Sequence, residues 1–156
     1  SPALAADKVE WPVATIEFPE PVKIIFSVST IDGAVATAEQ PDATVTTLSG
    51  DVNFEVDSDQ LTARAKEVLD SLASEWSKAK PSTVTVTGHT DDSVADDAHN
   101  LDLSKRRAKA VGDYLKGKVP GLSITTDGKG EAEPIGNNET DEGRAQNRRV
   151  EIRAQK

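Results

Sequence analysis

Thr83-Val84-Thr85-Val86-Thr87-Gly88-His89-Thr90-Asp91, followed after a polar stretch by Asn100 and Leu103-Ser104-Lys105-Arg106-Arg107-Ala108, is the segment on which the fold turns. Residues 83–87 alternate Thr and Val, and such a β-branched run favours an extended strand. Asp91 to His99 reads as an acidic loop. Asn100 suits the N-cap of a helix that places Leu103, Val111, Tyr114 and Leu115 on its apolar side. Gly117 and Pro120-Gly121 end that helix. A carboxylate at the end of a strand thus faces a guanidinium in the early turns of the next helix. One anion and one cation held close together suit a zwitterionic ligand better than proton chemistry; the plain alternative is a salt bridge between loop and helix.

Upstream, Leu61, Ala65, Val68, Leu69, Leu72 and Trp76 mark an amphipathic helix that stops before Pro81, with Ser58 or Asp59 as its cap. Before it, Asp51-Val52-Asn53-Phe54-Glu55-Val56 alternates and predicts a strand. Downstream, Leu122–Thr126 predicts a strand, then a long polar loop, then a last strand at Arg149–Arg153 in which Val150 and Ile152 alternate with charges. The order β-α-β-α-β-β implies an α+β fold: a two-layer sandwich, helices on one face of a mixed β-sheet.

Residues 1–47 differ from the rest. They carry β-type runs at Val13–Phe18, Val22–Val28 and Ala43–Thr47, with Asp32-Gly33 as a turn signal. They read as a short N-terminal β extension packing on the main domain, which is expected to span 48–156. A core from 47 residues alone is marginal.

Composition narrows the function. The 156 residues hold 18 basic and 27 acidic side chains, for a net charge of -9. Residues 1–102 sum to -13 and residues 103–156 to +4. The acidic total argues against bulk binding to nucleic acid or an anionic membrane, while the basic C-terminal part leaves room for a local anion site. With no cysteine, disulfides, thiolate metal sites and a cysteine nucleophile are excluded. Mean hydropathy is -0.48, and no apolar run is long enough for a transmembrane helix. The chain also lacks methionine, so a trimmed N-terminus is expected. Ser1–Asp7 reads equally as the tail of a secretory signal or as a linker.

The ordered motifs resemble one family. Val52-Asn53-Phe54 through Asp57-Ser58, Gly88-His89-Thr90-Asp91, Asn100 with Leu103–Ala108 and Val111, Gly128-Lys129-Gly130-Glu131 with Pro134, and Asn138 through Asn147-Arg148-Arg149-Val150 are similar to the OmpA-like peptidoglycan-binding domain. That domain is also found in the Pal lipoprotein and the flagellar stator protein MotB. The resemblance covers about two-thirds of the chain and leaves residues 1–47 unmatched. The loop after Asp91 departs from the family pattern: it carries Asp92, Asp96 and Asp97 and lacks the small Asn/Gly turn.

The resemblance implies a ligand, the diaminopimelate side chain of the peptidoglycan stem peptide, whose far end is a free amino acid. Asp91 would accept hydrogen bonds from its ammonium, and Arg107 would grip its carboxylate bidentately. With Asn100 as cap, Arg107 lies about two turns into the helix and can lean back toward the loop. Without ligand, Asp91 and Arg107 are expected to pair. The resemblance also implies that Asp57, Thr90 and Asn100 border the same pocket, with Asn100 equally readable as a cap, and that Arg149 holds peptide or sugar oxygens. Arg144 and Arg148 read as solvated surface charges. The implied role is non-covalent anchoring of an envelope protein to the cell wall, in the periplasm or wall, with no cofactor and no catalysis. An envelope partner docking on residues 1–47 by strand addition is a second expectation.

Two rivals fare worse. Asp91, Asp92, Asp96, Asp97, His99 and Asp102 crowd one stretch, but an EF-hand loop needs glycine at its sixth position, here Asp96. A weak calcium site and a protein-interaction module without wall binding are the alternatives. Hydrolase motifs are absent: there is no Gly-x-Ser-x-Gly, and Gly128-Lys129-Gly130 is too short for a phosphate loop.

Overall fold

The computed structural model describes residues 26–156. The predicted strand at Val13–Phe18, the start of the run at Val22 and the reading of Ser1–Asp7 lie outside them. Three strands come first: β1 Phe26–Ser29, β2 Val35–Glu39 and β3 Ala43–Ser49. One helical turn, α1 Gly50–Asn53, leads to α2 Ala63–Ala79 and β4 Val84–His89. The long helix α3 Asp97–Lys118, β5 Ile124–Gly128, the short α4 Asp141–Asn147 and β6 Arg149–Gln155 complete the chain.

All six strands form one mixed sheet in the order β1-β2-β3-β6-β4-β5. β4 and β5 are parallel, as their crossover through α3 requires, and every other pair is antiparallel. The helices α2 and α3 cover one face. The core between the layers holds Leu48, Val84, Val86, Val150 and Ile152 from the sheet and Leu69, Leu72, Trp76, Val111 and Leu115 from the helices. This is the α+β two-layer sandwich that the motif order predicts.

The division expected at residue 48 falls inside β3, which pairs with β6 from Ala43↔Gln155 to Ser49↔Arg149. β1 and β2 continue the same sheet. β2 was not foreseen: Val35-Ala36-Thr37-Ala38-Glu39 has two alanines, poor β formers, and its pairing to both neighbours makes it a strand.

Four local expectations are corrected. Asp51–Val56 is not a strand. After Ser49 the chain leaves the sheet: Gly50 N–H donates to the Arg148 carbonyl at 2.7 Å, and Phe54 N–H closes a turn on the Gly50 carbonyl at 3.2 Å. The Asn53 amide ties that turn to the Ala34 and Ser49 carbonyls, both at 2.7 Å. The cap of α2 is Thr62 rather than Ser58 or Asp59, its hydroxyl accepting from Ala65 N–H at 3.2 Å. Helix α3 is capped by Asp96, which accepts from His99 N–H at 3.1 Å, so Asn100 lies inside the first turn. The polar loop before β6 contains α4, which Thr140 caps.

Gly88 has a packing role. A side-chain carbon there would collide with the Ser104 carbonyl of α3. The absence of that carbon lets the long helix lie directly on the end of β4, which brings Arg107 beside the strand-end loop.

Candidate functional site

Sheet register assembles the site. Ser49, Arg149 and His89 stand side by side as the last paired residues of β3, β6 and β4. One step beyond them the three chains present Gly50, Arg148 and Thr90 at the same end of the sheet. A cleft of about 340 Å³ opens there, walled by α1 and the following loop, by the end of β4 and by the first half of α3. Of the six expected ligand contacts, Asp57, Thr90, Asp91, Asn100 and Arg107 line it.

Asp91 and Arg107 both face the cleft but are not paired. Asp91 is 8% exposed. Its Oδ2 accepts from Arg148 Nη1 at 2.5 Å, and its Oδ1 accepts from Ser93 N–H at 3.0 Å. Burial alone raises its pKa, but the Ser93 amide and Arg148 outweigh that and hold the carboxyl below the usual aspartate value. Arg148 also makes a two-pronged bond to Asp51, with Nε–Oδ1 at 2.8 Å and Nη2–Oδ2 at 2.9 Å. Asp51, and then Asp91, against some cost of burial, push the guanidinium pKa further up. Two carboxylates therefore share one guanidinium, a cluster short of one positive charge.

Arg107 is the opposite case. It is also 8% exposed, its Nε–H donates to the Ser58 carbonyl at 2.9 Å, and its guanidinium lies 4.9 Å from the centroid of the Phe54 ring. Among the described residues no carboxylate forms an ion pair with it. Burial lowers its pKa, partly offset by the more distant charges of Asp57 and Asp51. Asp57 stands on the 55–58 loop with φ of 50°, in the left-handed region. Thr90, on the wall of the cleft, donates its N–H to the Gly130 carbonyl at 2.8 Å, and its buried hydroxyl has no partner among the described residues. Asn100 donates its amide to the Val94 carbonyl at 2.9 Å and pins the acidic loop over the helix start.

The two consecutive arginines face different ways, and only Arg148 lines the cleft. Arg149, expected at the ligand, is 4% exposed and does not line the cleft. It donates to Glu151 Oε1 at 2.8 Å and to the Glu133 carbonyl at 3.0 Å. Arg148, expected to be solvated, is the hub of the cleft. The signal was present in the alternation: Val150 and Ile152 point to the helices, so residue 148 shares their side and residue 149 faces the other way. Asp51 was missed because the strand reading of 51–56 left it no special position. Among the described residues no three His, Asp or Glu side chains gather into a metal-binding cluster.

Comparison with known proteins agrees with this architecture. The model of the OmpA family matches residues 53–148. Outer membrane protein A of Bordetella avium is 39% identical over 113 residues, covering 72% of this chain and 58% of that protein. Peptidoglycan-binding protein ArfA of Mycobacterium tuberculosis is 40% identical over 104 residues, 66% of this chain and 32% of that protein. The chain thus spans less than two thirds of the length of either relative. The solved cell wall anchor of the type VI secretion system (T6SS) from Pseudomonas aeruginosa superposes with a TM-score of 0.72 at 33% identity, covering 78% of this chain and 87% of that one. With well over half of its length inside the family match and its strands and helices in the same frame, the chain belongs to the OmpA family.

Proposed function

We propose that this domain binds peptidoglycan non-covalently through the diaminopimelate residue of the stem peptide and so anchors an envelope protein to the cell wall. The observation that carries the reading is Arg107: a buried guanidinium on the cleft wall without a carboxylate partner among the described residues, opposite a cluster with one negative charge in surplus. A buried unmatched charge is costly, and a ligand that supplies the missing partner recovers that cost. The far end of diaminopimelate offers a carboxylate to Arg107 and an ammonium to Asp91, and balances both ends of the cleft at once.

The relatives support the same reading, one named as a peptidoglycan-binding protein and another as a cell wall anchor. The role places the domain outside the cytoplasm, in the cell envelope. We read it as a binding module rather than an enzyme, because the cleft's charged groups are spent on one another or await a ligand. Incubation with muropeptides should leave their masses unchanged.

The test is co-sedimentation with insoluble peptidoglycan. Wild type should pellet, while Arg107→Ala and Asp91→Ala should stay in the supernatant. Retention of both variants at the wild-type level would overturn the site. Titration of diaminopimelate against 1,5-diaminopentane, which has the ammonium groups but no carboxylate, separates zwitterion recognition from general attraction to a cation. Equal affinity for the two would remove Arg107 from the role given to it.

A further inference from the structure

Asp51 has no place in a two-point grip of ammonium by Asp91 and carboxylate by Arg107, yet it is tied firmly into the cleft. Its single turn is anchored at both ends, by Gly50 N–H on the Arg148 carbonyl and by the Asn53 amide on Ala34 and Ser49. At Gly50 there is no room for a side chain: a carbon there would stand 2.9 Å from the Arg148 carbonyl oxygen and 3.3 Å from Arg107 Nη1. The backbone beneath Asp51 is thus wedged between the two arginines of the cleft.

The carboxylate itself uses both oxygens on Arg148, at 2.8 and 2.9 Å. A two-pronged bond of this kind sets the plane of a guanidinium as well as its position. Once the plane is set, Nη1 points at Asp91 Oδ2. Asp91, held on its other side by Ser93, keeps its remaining lone pairs for the cleft.

We propose that Asp51 is a positioning and specificity residue for the ammonium end of the ligand. It locks Arg148, Arg148 orients Asp91, and the charge of Asp51 leaves the three-residue cluster short of one cation. This rests on the zwitterion reading of the same cleft. Were Asp51 neutral, Arg148 and Asp91 would form a balanced pair, and an arriving ammonium would have to compete with Arg148 for Asp91. The carboxylate end, at Arg107, would lose only the more distant charge of Asp51, which is not paired with it, and would hold a carboxylate no less well.

Calorimetric titration with three synthetic tripeptides, L-Ala-γ-D-Glu-X, tests this. X is meso-diaminopimelate, lysine (no distal carboxylate) or 2-aminopimelate (no distal ammonium). Wild type should prefer the diaminopimelate peptide to both others. Asp51→Asn should weaken the diaminopimelate peptide by about tenfold or more, the scale of coupling between close charges, and leave the aminopimelate peptide no weaker. That retained affinity is also the control that the cleft is folded. Asp51→Glu, which keeps the charge, should retain the preference for diaminopimelate. Asp51 would be a mere scaffold if Asp51→Asn weakened both peptides equally, and irrelevant if it weakened neither; either result overturns the proposal and leaves the zwitterion reading standing. A wild type that discriminates among none of the peptides removes that reading, and the role of Asp51 with it.

Discussion

His89 is the buried group with the most to lose in acid. It is 2% exposed, and neither ring nitrogen has a hydrogen-bond partner among the described residues. The groups facing it are Arg149 and Glu151 on β6, with Glu133 and Lys129 in the adjoining loop. Burial and then the Arg149 charge hold its pKa below the ordinary 6.5, against the pull of the two glutamates. The unfolded chain therefore takes up the proton first as pH falls, so stability is full above 6.5 and declines below it, down to the lowered folded value. Urea midpoints measured across this range should fall for wild type and stay level for His89→Gln. Asp91 adds a separate loss at lower pH: its depressed pKa means stability present above 3.8 and lost as pH drops through the folded value. The neighbouring arginines give a second contrast. Arg148→Ala should weaken peptidoglycan co-sedimentation, because Asp91 loses the guanidinium that orients it and two unpaired carboxylates then repel the carboxylate end of the ligand. Arg149→Ala should leave binding intact and lower the melting temperature, because its bonds to Glu151 and the Glu133 carbonyl are structural.

Helix α3 is the element that turns local sequence into a binding cleft. It carries Asn100 and Arg107 on the face turned to β4 and the cleft, with Leu103, Ala108, Val111 and Leu115 buried beside them. Its seat is set by contacts with β4 and β5. Gly88 meets the Ser104 carbonyl, and the Ser104 hydroxyl accepts from Gly130 N–H at 2.9 Å while donating to the Leu101 carbonyl at 2.8 Å. Gly88→Ala should push the helix off the strand end. Overpacking of this kind costs about 1–3 kcal/mol. Arg107, one turn beyond Ser104, would move with it, so the variant should show both a lower urea midpoint and weaker diaminopimelate binding. A change in stability with binding unaltered would mean that α3 does not set the position of Arg107.

Across the molecule, the last of the six described strands lies in the middle of the sheet. β6 sits between β3 and β4 and joins its two halves. We propose that residues 26–47 are integral to the domain rather than an optional appendage. A chain of residues 48–156 would expose the edge of β6 and remove the strand that leads into α1, and bare strand edges invite aggregation. It should melt lower, scatter light at concentrations where the full chain does not, and bind peptidoglycan less well.

The motif order, the apolar stripes at Leu61–Trp76 and Leu103–Leu115, and the β-branched run at 83–87 were enough to place the layers, because periodicity reports directly which face is buried. The acid and base of the cleft were legible too, as Asp91 and Arg107, because a strand end and a helix start carry recognisable residues. What the chain left open was decided between segments far apart in sequence. Asp51 and Arg148 meet across 97 positions. The turn at Gly50–Asn53 exists because its amide bonds reach Arg148 and Ala34, where local alternation alone favoured a strand. Which of two adjacent arginines enters the cleft depends on the strand's parity against the helix layer, and the partner of Asp91 on which backbone ends the sheet brings together. Hydrophobic pattern is local, so it survives in the sequence; ion-pair partnership depends on distances that only the closed sheet creates.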